Sequence, residues 1–178
     1  DSFAFKFGAS GVHLNSTLAA REASSGDAND KVEATTPMER YFDLFSDRTL
    51  ISSLFTVVED ARIDAYISRE YGGIRPWLQH MQAHEATHRD DISKLGLRAA
   101  YIENILRASL GQPQTIRYPA DLLPLLREGL LHLEAVSRPH ATVQDSSEVA
   151  ASIYSIAERI PNVSGSYSDT DWEAVDEE

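Results

Sequence analysis

The sequence predicts an all-α fold, an irregular bundle of about six helices with a short extended segment before it and a disordered acidic tail after it. Three observations predict this. Apolar residues recur at intervals of three and four over most of residues 37–161, the period of a helix with one buried face. Helix-start signals, Thr36-Pro37-Met38-Glu39 and Thr142-Val143-Gln144-Asp145, stand near the two ends of that stretch. Gly and Pro punctuate the periodic runs and leave only short connections between them. No internal repeat is visible.

Taken in order, Phe3, Phe5 and Phe7 alternate with Ala4 and Lys6, a period of two that predicts a short extended segment. Residues 21–36 are rich in Ala, Ser, Gly, Asp and Asn without periodicity, as in a mobile linker. The chain thus divides into an extended segment and linker (1–36), a helical domain (37–161) and an acidic linker or tail (162–178). The first helix runs from Pro37 to about Phe45 and buries Met38, Tyr41, Phe42 and Phe45. Asp47 caps the second, which carries Leu50, Ile51, Leu54, Val58, Ala61 and Ala65 to about Glu70 and stops at Tyr71-Gly72-Gly73. Pro76 opens a third helix through Trp77, Leu78, Met81 and Ile92, ending near Gly96. A fourth covers Arg98 to Leu110, stopped by Gly111 and Pro113. Pro119 opens a leucine-rich fifth, closed by Pro139, and the sixth follows Thr142 and ends before Pro161. Beyond Val163 the chain is Ser, Gly and acid, a composition that predicts disorder.

Composition narrows the function. At 178 residues and 42% hydrophobic, one domain can bury a core without covalent staples. There are no cysteines, which excludes disulfides, cysteine-bound zinc, iron–sulfur clusters and a thiol nucleophile. A reducing, cytoplasmic setting is expected. The net charge is −12, and six of those charges fall in the acidic last ten residues. With no basic stripe, nucleic acid and anionic membranes are poor partners. No apolar run approaches the ~18 residues of a membrane span, and no signal peptide is visible. A start without Met and an acidic end read as a piece of a larger protein. Neither a phosphate-binding Gly-rich loop nor a Gly-x-Ser-x-Gly elbow is present.

Two clusters can carry chemistry. In His84-Glu85-Ala86-Thr87-His88 the two imidazoles share one helix face and can chelate zinc, with Glu85 as the general base of a hydrolase. Such a site needs a third protein ligand, for which Asp60, Asp64, His132 and His140 are candidates. Alternatively both His belong to a semi-apolar stripe with Met81, Ile92 and Leu95 and are partly buried packing residues. The second cluster is Glu59, Asp60, Arg62 and Asp64. Asp60 and Asp64 face one way and invite a cation or a helix N-terminus, whereas Glu59 and Arg62 can pair across one turn. A structural or interfacial ion-pair network is the expected role, with a metal or catalytic role as the alternative. The turn from Arg69 to Pro76 can serve as a helix–helix connection or as an anion nest. Trp172 is the one residue of the tail that hints at docking.

The run from Leu54 to Pro76, LFTVVEDARIDAYISREYGGIRP, resembles the helical region of bacterial von Willebrand factor A domain proteins of the nitric oxide reductase activation (NorD-like) type. The stretches RAAYIENILRASL and ATVQDSSEVAASIYSIAERIP resemble the same region. The resemblance implies a helical adaptor rather than an enzyme. Its implied partners are a MoxR-type AAA+ ATPase and a client metalloenzyme that the pair activates or remodels. The Asp-x-Ser-x-Ser metal-dependent adhesion pattern of the A domain is absent, so the A domain and its magnesium are expected outside this chain, and no cofactor is expected within it. His84-Glu85-Ala86-Thr87-His88 is not part of the resemblance.

Overall fold

The computed structural model describes residues 36–162 and 172–174. Among them are six α-helices: α1 Pro37–Phe42, α2 Arg48–Glu70, α3 Arg75–Thr87, α4 Leu97–Ser109, α5 Leu123–Glu134 and α6 Val143–Arg159. Single 3₁₀ turns link most of them, and two short strands, β1 Arg117–Pro119 and β2 Trp172–Ala174, pair antiparallel. The Phe3, Phe5 and Phe7 segment and the linker that follows it lie outside the described residues.

Helix starts follow local chemistry. Thr36 accepts from the Glu39 amide at 3.2 Å while its own amide donates to the Glu39 carboxylate at 2.7 Å, a reciprocal box. Thr142 and Asp145 repeat it at the start of α6. Asp47 accepts from the Leu50 amide at 2.9 Å and so caps α2. Each bond satisfies an amide that the first turn leaves orphaned, an effect of about 1 kcal/mol. Gly111, at φ 67°, takes the left-handed turn that closes α4, a conformation a Cβ would disfavour.

The first half of α2 and all of α4, α5 and α6 enclose the core. Ile51, Leu54 and Val58 of α2 meet Ile153, Ile156 and Ala157 of α6, with Tyr101 and Ile105 of α4 and Leu126 and Leu133 of α5 completing it. Burial of each such side chain contributes about 1.5–3 kcal/mol. Tyr41 locks α1 down by donating its hydroxyl to the Ser147 carbonyl at 2.7 Å. Phe45 stands edge-on to both Tyr41 and Tyr154.

Four expectations are corrected. The third helix ends at Thr87 and does not continue to Gly96; Ile92–Lys94 is a separate 3₁₀ turn. The Thr87 hydroxyl folds back on the His84 carbonyl at 2.7 Å, and Asp90 and Asp91 would place negative charge on the negative end of the helix dipole. Asp91 instead caps the next turn through the Ser93 amide. The fifth helix starts at Leu123, because Pro119 is a strand residue and Pro124 takes the first-turn position. The acidic tail is not wholly without structure: Trp172 pairs with Pro119, Glu173 with Tyr118 and Ala174 with Arg117. Asn104 presets β1 for this pairing by bonding both the amide and the carbonyl of Arg117, at 3.0 and 2.7 Å. The first helix is also shorter than expected, stopping at Phe42, with Phe45 placed by the following turn.

Candidate functional site

The buried face of α2 stops at Ala61. From residue 62 to residue 91 no side chain is buried, and α3 has no buried residue along its whole length. The stretch forms a helical arm: the second half of α2, a 3₁₀ turn at Gly72–Ile74, and α3. Polar tethers hold it to the body. Arg62 reaches the Ala141 carbonyl at 3.3 Å and Arg69 the Ser137 carbonyl at 2.7 Å. Within the arm, Gln82 of α3 donates to Asp64 of α2 at 2.8 Å, and Arg75 to the Ser68 carbonyl at 2.9 Å.

Six of the seven large apolar side chains exposed among the described residues sit on this arm: Ile63, Tyr66, Tyr71, Ile74, Trp77 and Met81. Tyr66, Tyr71 and Trp77 are 48%, 62% and 59% exposed. An aromatic side chain has about 150–250 Å² to bury, so these three leave roughly 300 Å² in water. Beside the arm, an open groove of about 410 Å³ runs between α2, α3, the end of α4 and α5. Asp64 and Glu134 bring carboxylates to it, and Leu130 and Leu133 line it with apolar surface.

The acidic cluster read from the sequence divides into separate arrangements. Glu59 and Arg62 form a two-pronged ion pair, at 2.9 and 2.6 Å. Burial alone would raise the Glu59 carboxyl; the two hydrogen bonds from Arg62, chiefly, outweigh it and hold the group below the usual range. Asp64 is tied to Gln82. The Asp60 carboxylate accepts no hydrogen bond among the described residues; partial desolvation, then the charges of Asp64 and Glu59, raise it.

His84 and His88 do lie together, with ring centroids 4.4 Å apart. They are not buried in a packing stripe: both are exposed, and the helix that would have joined them to Ile92 and Leu95 ends before His88. Glu85 turns to Arg89 at 3.5 Å. His132 sits on α5 and His140 in the loop before α6, and among the described residues no three His, Asp or Glu side chains converge as a metal-ligand group.

Sequence reasoning missed the most buried ion network. Glu103 of α4 receives a two-pronged contact from Arg89, at 2.7 and 3.1 Å, and another from Arg107 at 3.0 Å. Arg107 also donates to the carbonyls of Thr115 and Asp90, both at 2.6 Å. Burial pushes the Glu103 carboxyl up, but the two guanidiniums more than offset this and hold it below the usual range. The i, i+4 spacing of Glu103 and Arg107 was the available signal. Arg89 arrives only because the chain turns at residues 88–91.

The class these observations define is a mostly α-helical domain with an apolar-faced helical arm, and no helix among the described residues is long and apolar enough to cross a membrane. A scan against protein-family models finds no match, and searches of the curated proteins and of the solved structures find none either.

Proposed function

We propose that the chain is a helical protein-interaction module, and that a partner protein docks on the arm of α2 and α3. The observation that carries the reading is the unburied stretch 62–91 with its six exposed apolar side chains. A domain that hides Ile51, Leu54 and Val58 completely has no folding reason to leave Trp77 and Met81 in water. The occupant fitted by the surface is an apolar segment carrying a basic side chain. Its apolar face would cover Tyr66, Trp77 and Met81, and its cation would enter the groove between Asp64 and Glu134.

The resemblance of residues 54–76 to NorD-like von Willebrand A domain proteins supplies the identity of that occupant. In this reading the chain is the adaptor part of such a protein, and a MoxR-type AAA+ ATPase engages the arm to activate or remodel a client metalloenzyme. Catalysis is not assigned to the chain. The test is direct binding between the purified chain and a purified MoxR-type ATPase encoded beside its gene, for wild type and Trp77→Asp/Met81→Asp. Truncation of a central interface anchor costs about 2 kcal/mol or more, so the double variant should bind at least about thirtyfold more weakly. Equal binding by both forms, or none by the wild type, would reject the arm as the docking site for this ATPase.

A further inference from the structure

We propose that His84 and His88 form a two-imidazole site for a divalent transition-metal ion of the zinc and copper type on the exposed face of α3. Three features converge. The pair is four apart at the end of a helix, and the rings lie 4.4 Å apart and tilted by 38°, close enough for one ion to bridge them. Both side chains are exposed, so an ion reaches them without opening the fold. The third feature fixes the donor atom on His88. Its Nδ1 lies 2.9 Å from the His84 carbonyl oxygen, which can only accept, so Nδ1 carries the proton. The lone pair that a metal can take is then the one on Nε2. The Thr87 hydroxyl donates to the same carbonyl at 2.7 Å and lies 3.1 Å from Nδ1, holding the arrangement from a second side. A ring N–H given to a backbone carbonyl is the orientation that metal-binding histidines adopt.

The neighbouring charges do not block the site. Arg89, the nearest cation in sequence, is engaged by Glu103 and Glu85. Imidazole donors select borderline ions over magnesium or calcium, which prefer oxygen. With two protein ligands the ion keeps further positions for water or for a donor from a bound partner, so the site is exchangeable rather than structural. His84 stands seven residues beyond Trp77 and three beyond Met81, so the metal would sit on the same helix face of the arm. The site rests on its own geometry and does not depend on the docking reading.

The test is calorimetric titration of the tag-free, chelator-stripped 178-residue chain with zinc chloride. The wild type should take up one zinc ion and show no heat with magnesium chloride. His84→Ala/His88→Ala should weaken zinc binding by at least about tenfold, the scale on which even outer-shell partners act. His80→Gln, one turn earlier on α3, should leave it unchanged. Circular dichroism of each variant checks the fold, and His84→Gln/His88→Gln serves as a second variant if the alanine pair is perturbed. No uptake by the wild type, or equal uptake by the folded double variant, would overturn the site. Loss of binding in His80→Gln would overturn the assignment to this pair.

Discussion

The single long helix α2 belongs to two environments. Up to Ala61 it is a core helix, with Ile51, Leu54 and Val58 completely buried against α6 and its neighbours. Beyond Ala61 the same helix has no fully buried residue; it is tethered to the body through Arg62 and Arg69, and α3 is held back on it through Gln82 and Arg75. The first region is held by area removed from water, which is non-directional and strong in sum. The second is held by a few hydrogen bonds, each of about 1 kcal/mol net. The contrast separates residues that make the fold from residues the fold presents.

The largest expected effect lies at the seam between the two regions. Glu103→Ala leaves Arg107 buried without its carboxylate and frees Arg89, the tether at the end of the arm. Breaking a buried pair from one side costs about 3–5 kcal/mol, and urea unfolding should show it. The pH dependence has a definite sign. The folded Glu103 carboxyl is depressed, so its contribution is present above the unfolded glutamate pKa and is lost as pH falls through the depressed folded value. Glu103→Gln should therefore flatten the acid side of the stability profile. A profile of unchanged shape would mean that the seam is not held by charge.

Within the core, Gly129 and Tyr101 give a paired test. Gly129 of α5 is buried, and a Cβ there would overlap the Tyr101 hydroxyl and meet Ile105 Cδ1 at 3.0 Å. Gly129→Ala should cost about 1–3 kcal/mol by overpacking. The Tyr101 hydroxyl itself is buried without a hydrogen-bond partner, and that burial, chiefly, holds its ionisation well above the usual phenol range. Tyr101→Phe should then stabilise the protein by about 1 kcal/mol. It should also relieve much of the Gly129→Ala cost in the double variant, a coupling that a mutant cycle measures. Additive effects would place the two residues out of contact.

How much of this contrast the sequence carried depends on the range of the forces involved. The caps at Thr36, Asp47 and Thr142 and the turn at Gly111 depend on residues three or four apart, and they were legible. The helical class followed from the apolar period. The end of α3 was not legible: Met81, His84, His88, Ile92 and Leu95 keep a helical spacing across a break marked by the bonds of the Thr87 and His88 side chains to the His84 carbonyl and by the reach of Arg89 to Glu103. The pairing of Trp172 with Pro119 was hidden because it joins chain segments far apart through backbone groups, which leave no pattern in composition. Of the candidate site, the side chains His84, His88, Glu59 and Arg62 were visible. Their exposure was not, since Trp77 and Met81 read as core until a neighbour fails to cover them.

The smallest expected effect is the most discriminating. Trp77→Ala removes one of the largest side chains in the protein, and in a core such a truncation costs about 3–5 kcal/mol. Trp77 is 59% exposed on a helix with no buried residue, so little surface returns to water on unfolding and no cavity forms. Its replacement should change unfolding free energy by no more than about 0.5 kcal/mol, as for surface sites. Ala also has the higher helix propensity, which opposes even that loss. Urea unfolding of Trp77→Ala beside Ile153→Ala gives the comparison directly. A Trp77 cost approaching that of Ile153 would show that the arm is packed in solution, and the division of α2 into a folding half and a presenting half would fail. A null effect on stability, together with weakened binding of a partner, is the signature of a residue kept exposed for recognition.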